Sequence, residues 1–275
     1  MVGGPCDPPG YGRGADAMSW QRWGRTTATA ERAGTWHHAL TLEGVSRKYQ
    51  RGVVALHPLH LTVPRGRFLA VMGPSGCGKS TLLQCAAGLD RPTAGTVRIG
   101  GTELSSLKET ALTRLRRERI GFVFQAHHLV PSLSVAENVS LPLLLGGQAV
   151  GDRALRGLAA VGLGDRGEAM PSELSGGQCQ RVAIARALVT APDIVFADEP
   201  TGALDPAAAE EALKLLRQAV DHDGHTVVMV THDPFAAAWA DEVLFLMRGK
   251  LVGRQERPEA ADIRRVLKDL GEGAA

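Results

Sequence analysis

The sequence lacks any long run of apolar residues. Apolar pieces such as 227–230 and 143–145 fall far below the roughly 20 residues that a membrane-spanning helix needs. Residues 1–14 are rich in glycine and proline and lead into no apolar segment, so we expect no secretory signal. We therefore expect a chain that does not span a membrane by itself.

Cysteine is scarce, and no charge sign dominates. The four cysteines, Cys6, Cys77, Cys85 and Cys179, form no CxxC pair and have no histidines at metal-ligand spacing. Neither a disulfide framework nor a zinc site is predicted, and a reducing cytoplasm is the expected compartment. The formal net charge of +2 excludes a strongly basic protein, so we predict no nucleic-acid partner.

Composition divides the 275 residues into three parts. Residues 1–37 resemble a flexible N-terminal extension rich in Gly, Pro, Arg, Ser and Thr, in which Met1 and Met18 are both candidate starts. Residues 38–260 have the composition of one globular domain, since 44% of the chain is hydrophobic and 22% is charged. Residues 261–275 are expected to form a C-terminal tail without a functional signal.

Hydrophobic periodicity predicts a mixed α/β domain. Alternation at 39–45 and 59–63 predicts a small antiparallel sheet. Continuous apolar runs at 68–72, 194–197 and 226–230 alternate with helical stretches, which favours a parallel sheet covered on both faces.

Helices are predicted in two places. One begins at Asp205-Pro206, a capping residue followed by proline, and stops near Gly224. No buried strand is evident between Ala126 and Glu173, so we predict an inserted, mainly helical subdomain at about 126–180. The arginines of one further helical stretch are expected to form a solvated face: Arg114, Arg116, Arg117 and Arg119.

A glycine-rich segment directly follows the apolar run 68–72 and opens a helical stretch. It matches the P-loop pattern, in which glycines let the backbone approach phosphate while N–H groups and a helix N-terminus attract negative charge. Lys79 is expected to reach the β- and γ-phosphates, and the Ser80 hydroxyl to ligate Mg²⁺. The candidate phosphate-binding residues are Gly73, Pro74, Ser75, Gly76, Cys77, Gly78, Lys79, Ser80 and Thr81.

Cys77 lies inside this segment. Its position near N–H groups at a helix start predicts a thiol that ionises easily, so alkylation of Cys77 is expected to block nucleotide chemistry.

Two adjacent carboxylates end the apolar run 194–197. Asp198 can hold a metal ion through water, while Glu199 can act as the general base for an attacking water molecule. Beside a P-loop, this pair favours nucleotide hydrolysis over a solvated loop.

The segment Leu174–Gln178 is the most discriminating. Ser175 and two glycines precede the amphipathic run 181–189, so they predict a second helix N-terminus shaped to receive phosphate. One nucleotide needs only one such cradle. A second cradle therefore indicates a nucleotide held by another copy of the chain, and it disfavours a simple P-loop kinase.

With these three segments in order, the chain resembles the nucleotide-binding subunits of ATP-binding cassette (ABC) transporters over about residues 38–255. The resemblance implies a P-loop NTPase (RecA-like) α/β core with a parallel sheet, an N-terminal antiparallel β subdomain and the inserted helical subdomain. It also implies roles for four further residues. Tyr49 would stack on adenine, and Gln125 would sense the γ-phosphate and the metal. Asp205 lies in the segment that matches the D-loop, and His232 matches the switch histidine.

The resemblance further implies a head-to-tail homodimer that sandwiches two ATP molecules. Each P-loop would face Ser175, Gly176, Gly177 and Gln178 of the other copy. Residues 126–139 would receive an integral-membrane permease, which makes the chain a cytoplasmic ATPase held at the inner face of the membrane.

Within the family, the segments 123–125, 131–139 and 141–143 resemble the lipoprotein-release and macrolide-exporter group. The leading interpretation is an ATPase that energises an exporter or a mechanically acting transporter. An ATPase that regulates cell-envelope enzymes through a membrane partner and an importer ATPase remain alternatives. A single cassette disfavours a soluble protein acting on ribosomes or DNA. Cargo and direction of transport are not readable, because cargo contacts the permease.

Overall fold

The structure, a computed structural model, describes residues 37–272. Almost all of the predicted N-terminal extension 1–37, with Cys6 and both candidate starts, lies outside the described residues.

The N-terminal part forms an antiparallel sheet in the order β2-β1-β4-β5. The alternation predicted two paired strands here, and this is confirmed. Leu40 and Leu42 of β1 and Leu61 of β2 face a buried cluster, while intervening residues are more exposed. The strands are β1 (His38–Lys48), β2 (Val54–Pro64), β4 (Ala94–Ile99) and β5 (Thr102–Glu103).

The second sheet has six strands in the order β10-β9-β3-β8-β7-β6, all parallel except the antiparallel edge pair β10-β9. Every residue of β3 and β8 is buried, as their continuous apolar runs predicted for strands covered on both faces. The strands are β3 (Phe68–Met72), β6 (Ile120–Phe124), β7 (Ile194–Asp198), β8 (Val227–Val230), β9 (Glu242–Met247) and β10 (Lys250–Glu256).

The strand register aligns the carboxyl ends of four parallel strands. Val71 pairs with Val230, Val230 with Asp198, and Asp198 with Phe124. The segments that follow β3, β6, β7 and β8 therefore begin at one edge of the sheet. This edge is where ligands bind in open parallel sheets.

Helices cover the parallel sheet, and each apolar strand face joins one of two buried clusters. The helix predicted from Asp205-Pro206 is confirmed: the Asp205 carboxylate caps it, and it ends at Asp221. The helices are α1 (Lys79–Ala86), α2 (Glu109–Arg119), α3 (Val135–Leu145), α4 (Arg153–Ala160), α5 (Gly176–Leu188), α6 (Pro206–Asp221), α7 (Pro234–Ala237) and α8 (Ala260–Glu272).

The stretch 126–180 contains α3, α4 and the start of α5. These helices bury Val139, Leu143 and Leu158 against one another and Val182. Helix α5 runs past position 180 to Leu188 and packs on β6, so it joins the helical layer to the parallel sheet.

The expected solvated arginine face on α2 is wrong for three of its four members. Arg119 forms an ion pair with the nearly buried Asp193, Arg116 donates to the Gly88 carbonyl (2.9 Å), and Arg117 donates to the Leu145 carbonyl. Only Arg114 is largely exposed, with a single i,i+4 partner, Glu118. The prediction fails because long arginine side chains reach neighbouring elements and form hydrogen bonds and ion pairs there.

Helix α8 occupies most of the segment 261–275, which the sequence analysis treats as a tail. Ile263 is fully buried, and Val266, Leu267 and Leu270 pack against the main cluster at helical spacing. Within residues 37–272, no helix is long and apolar enough to cross a membrane.

Candidate functional site

The glycine-rich loop connects β3 to α1 and is shaped by close backbone approaches. A Cβ at Gly73 would lie 2.0 Å from the Leu246 carbonyl oxygen, and a Cβ at Gly78 would lie 2.5 Å from the Ala55 carbonyl oxygen. Gly78 also has a φ of +109°, which side-chain-bearing residues rarely adopt. Glycine is therefore required at both positions for the loop to close against β2 and β9.

The Lys79 ammonium lies inside this loop. Its Nζ donates to the carbonyl oxygens of Gly73 (2.8 Å) and Pro74 (3.1 Å). These neutral acceptors hold a cation at the N-terminus of α1, where a phosphate is also favoured by the helix dipole. Ser75, Gly76 and Ser80 are exposed at the mouth of the loop, so their polar groups are accessible to a ligand.

The sequence-based prediction that the Cys77 thiol ionises easily is wrong. Cys77 is only 7% exposed, and its burial raises the pKa of the thiol, although the Lys79 charge and the N–H groups of Lys79 and Cys77 oppose this rise. Desolvation of the thiolate is the largest effect, because the side chain packs into the cluster beneath the loop.

Asp198 and Glu199 stand at the end of β7, beside the loop. Burial raises the pKa of the Asp198 carboxyl, the neighbouring charge of Glu199 raises it further, and Lys79 lowers it. Glu199 adopts a φ of +46° while its N–H donates to the Val230 carbonyl (2.9 Å). This strained backbone turns the Glu199 side chain toward the end of β8.

Glu199 is held by the turn after β8. Its Oε1 lies 2.9 Å from His232 Nδ1, and its Oε2 accepts from the Thr231 hydroxyl (3.1 Å) and the His232 N–H (3.3 Å). The structure thus brings together Glu199 and His232, which the sequence analysis assigned separately. Thr231 was missed, although its place directly before His232 is a readable signal.

Gln125 begins the loop after β6, and its side chain is exposed. A Cβ at Gly202 would lie 3.0 Å from Gln125 Nε2, so the amide rests against Gly202. The Gly202 N–H in turn donates to the Glu199 carbonyl (3.1 Å). Gln125 therefore lies beside the turn that carries Glu199.

Ser175 caps helix α5 in a reciprocal capping box. The Gln178 N–H donates to Ser175 Oγ (3.3 Å), and the Ser175 N–H donates to Gln178 Oε1 (2.9 Å). A Cβ at Gly177 would lie 2.7 Å from Ala208 Cβ of α6, whereas Gly176 has open space around it. Among the described residues, no hydrogen bond joins 174–178 to the loop 73–81. The two candidate phosphate cradles are thus not joined within one chain.

Asp205 acts as a helix cap in this structure. Its Oδ1 accepts from the N–H groups of Ala207 and Ala208, both at 3.0 Å, and the residue is exposed.

Tyr49 lies at the rim of the antiparallel sheet with 36% of its surface exposed. Its hydroxyl donates to Asp90 Oδ2 (3.0 Å), and the Arg47 guanidinium lies over the ring, 4.5 Å from the ring centre. Arg47 also pairs with Asp90 (2.8 Å). The two partners orient the ring. Asp90 was missed because no motif links residues 41 positions apart.

The segment 126–139 is organised by Asn138, which the sequence analysis also missed. Asn138 is fully buried; its Nδ2 donates to the carbonyls of Val130, Leu133 and Ser134, and its Oδ1 accepts from the Val130 N–H (2.7 Å). One satisfied amide therefore defines the loop, and Val130 is left partly exposed on it.

The residues fit a magnesium nucleotide. A hard divalent cation prefers oxygen ligands, which the Ser80 hydroxyl and the Asp198 carboxylate supply. Positive charge there would favour the ionised Asp198 carboxylate and so oppose the rise in its pKa. Among residues 37–272, no cluster of three or more His, Cys, Asp or Glu side chains is suited to a metal ion.

The profile of the family described as ABC transporter matches residues 56–202. The macrolide export ATP-binding/permease protein MacB of Rhodopseudomonas palustris (strain HaA2) is 48% identical over 229 residues, covering 81% of this chain and 35% of that protein. MacB of Burkholderia thailandensis is 44% identical over 227 residues, covering 80% of this chain and 35% of that protein. The chain thus spans about a third of the length of these relatives.

Solved structures of ABC cassettes also match this chain, and the matches cover nearly the whole of each solved chain. The dimeric structure of a post-hydrolysis state of the ATP-binding cassette MJ0796 bound to ADP and Pi matches with a TM-score of 0.73 and 40% identity, covering 80% of this chain and 99% of that one. CbiO1 from Clostridium perfringens, part of the ABC transporter complex cbiONQ, matches with a TM-score of 0.76 and 29% identity, covering 86% of this chain and 95% of that one.

Proposed function

We propose that this chain, which belongs to the ABC transporter family, hydrolyses ATP to energise a membrane transporter. The observation that carries this proposal is the meeting of four features at one sheet edge: the loop 73–81 with Lys79, the acids Asp198 and Glu199, His232, and Gln125. Each has a distinct task in phosphoryl transfer to water.

The loop binds and orients the triphosphate. Its backbone N–H groups and the Lys79 ammonium bind the phosphate oxygens, and Tyr49 offers an aromatic face to adenine. Ser80, Asp198 and Gln125 would hold Mg²⁺, which would neutralise phosphate charge when bound. The γ-phosphate would then lie in front of Glu199.

Glu199 accepts the proton of the attacking water, so that the new P–O bond forms as the bond to ADP breaks and phosphate leaves. His232 and Thr231 hold the Glu199 carboxylate in position through the contacts at 2.9 and 3.1 Å. Hydrolysis thus depends on positioning and electrostatics, with no covalent intermediate.

The active form is a head-to-tail dimer with two nucleotides between the copies. The N-terminus of the 13-residue helix α5 carries Ser175, Gly176, Gly177 and Gln178, and its N–H groups can meet the γ-phosphate held by a second copy. The dimeric cassette bound to ADP and Pi supports this arrangement. Asp205 follows Glu199 closely and serves the same interface.

The segment 126–139 is the proposed docking site for an integral-membrane permease, which would hold the ATPase at the inner face of the cell membrane. Similarity to MacB, whose name joins an ATP-binding part to a permease, favours an exporter or mechanically acting transporter. The proposed domain begins at residue 38 and includes a helical subdomain at about 126–180. Because α8 packs against the main cluster, the domain extends past the expected limit of 260.

The test is the Glu199→Gln variant. It should bind ATP, hydrolyse it at least about a hundredfold more slowly, and form a dimer with ATP but not with ADP. Light scattering after size exclusion measures the dimer, and phosphate release measures turnover. Glu210→Gln, the same change on the surface of α6, should behave as wild type. A Glu199→Gln protein that stays monomeric at saturating ATP would contradict the sandwich.

The membrane partner is tested separately. Tagged Glu199→Gln protein, purified with ATP from detergent-solubilised native membranes, should retain a permease with a large extracytoplasmic domain. Recovery of ribosomal or chromosomal proteins without a membrane protein would overturn the transporter proposal.

A further inference from the structure

Helix α5 carries a buried glutamine that contacts two other segments of the site. Gln180 is fully buried, and its Nε2 donates to the Phe124 carbonyl (3.2 Å) and the Pro200 carbonyl (2.6 Å). Two carbonyl acceptors require the NH₂ end of the amide to face them, which determines its orientation. Its Oε1 is buried without a hydrogen-bond partner in the described part of the chain.

These two carbonyls flank candidate catalytic residues. Phe124 directly precedes Gln125, and Pro200 directly follows Glu199. One side chain therefore ties the end of β6 to the end of β7 at the point where the chain departs from each strand. Glu199 has the unfavourable φ of +46°, so a bond to the next residue helps to hold its backbone.

A second side chain of α5 holds the other side of Gln125. Arg186 donates from Nη1 to the His128 carbonyl and from Nη2 to the His127 carbonyl, both at 2.7 Å. His128 is itself in a left-handed conformation, with a φ of +47°. The backbone before and after Gln125 is thus bound to a single helix.

We infer that Gln180 and Arg186 are positioning residues, through which α5 sets the backbone at Gln125 and Glu199. This inference rests on the proposed function. The same helix presents Ser175 and Gly176 at its N-terminus, so a nucleotide bound there by a second copy also biases the geometry around the chain's own Gln125 and Glu199. Helix α5 thereby connects the two ATP sites of the dimer.

The first experiment compares steady-state ATP hydrolysis by the full-length wild-type chain and by its Gln180→Met variant. Removing the donor lets both backbone segments shift, and small misplacements of reacting groups are costly. We expect kcat to fall on the order of tenfold while the KM for ATP changes less than about twofold. Gln218→Met, an exposed glutamine on α6, is the matched control and should leave both constants unchanged.

The second series changes Arg186. Lysine keeps a donor for one carbonyl, whereas methionine keeps none, so kcat should fall in the order wild type, Arg186→Lys, Arg186→Met. Arg114→Met, at the largely exposed arginine of α2, is the control. This series keeps the inference testable if Gln180→Met does not fold.

Hydrogen exchange of the nucleotide-free protein provides a readout that needs no activity. Gln180→Met should speed exchange about tenfold or more at 125–129 and 199–202 and leave the β8 amides unchanged. Unchanged kcat in the folded variants, or unchanged exchange at these segments, would overturn the inference while the ATPase proposal stands. A wild-type chain that neither binds nor hydrolyses ATP would instead defeat the proposed function, and the exchange result would still decide whether the two side chains hold these segments.

Discussion

His232 Nδ1 lies 2.9 Å from Glu199 Oε1, and the backbone N–H of His232 lies 3.3 Å from Glu199 Oε2. The two residues are 33 positions apart, at the ends of the adjacent strands β7 and β8. The parallel register that pairs Asp198 with Val230 places them side by side. The contact holds a carboxylate that points out of a strained turn.

Loss of the imidazole should therefore slow hydrolysis without preventing binding. We expect His232→Ala to lower kcat on the order of a hundredfold, because the Glu199 carboxylate loses a positioning partner. ATP affinity should be retained, since the loop 73–81 is unchanged. His60→Ala, an exposed histidine of β2, is the control. A wild-type kcat for His232→Ala would show that the contact has no role in turnover.

Lys79→Met should weaken ATP binding. Its ammonium makes two hydrogen bonds inside the loop, and charge-assisted bonds to phosphate are worth about 1.5–3 kcal/mol, which corresponds to about 10- to 150-fold in affinity. Calorimetric titration with magnesium ATP measures the change, with Lys250→Met as an exposed control. Equal affinities for Lys79→Met and wild type would argue against phosphate binding at this loop.

Cys77 should resist alkylation in the folded protein. Its side chain is 7% exposed and its pKa is raised by burial, so little accessible thiolate exists at neutral pH. Iodoacetamide at pH 7.5 should modify Cys77 far more slowly in the native chain than after unfolding in guanidinium, as peptide mass spectrometry can follow. Modification of native Cys77 as fast as in the unfolded chain would restore the sequence-based expectation.

Alkaline pH should weaken the fold through Cys85. Burial raises the pKa of this fully buried thiol to about 11, the charge of Asp90 contributes to the rise, and Arg47 opposes it. The folded state therefore keeps a proton that the unfolded chain releases near pH 8.5. This contribution to stability is fully present below that pH and falls by up to about 3 kcal/mol as pH rises through about 11.

Urea unfolding between pH 8 and pH 11 measures this effect. The free energy of unfolding should fall more steeply with pH in wild type than in Cys85→Ala, which has no thiol to ionise. Parallel pH profiles for the two proteins would contradict the raised pKa of the Cys85 thiol in the folded state.

Much of the fold and site is readable from sequence because the information is local. Gly73 to Thr81 after an apolar run, Asp198-Glu199 at a strand end and Asp205-Pro206 at a helix start each depend on residues a few positions apart. Backbone conformation and helix capping are decided over such distances. Confirmed in the structure are the α/β class, the paired N-terminal strands and the helix from Pro206.

Contacts between distant segments are decided only by tertiary structure. Cys77 shows this most directly: its neighbours in sequence predict an ionised thiol, but desolvation beneath the loop raises its pKa instead. The arginines of α2 likewise reach Asp193, Gly88 and Leu145, which no local pattern reveals.

The sequence by itself determined which chemical groups are present and in which local setting each lies. These are a glycine-rich loop, a carboxylate pair, a histidine, and a helix that begins with a capping serine and two glycines. Tertiary structure alone decided that Glu199 meets His232 and that Gln180 reaches both Phe124 and Pro200. The physical reason is that burial and hydrogen bonding depend on what lies nearby in space, and strand order and register bring together residues that chain distance separates.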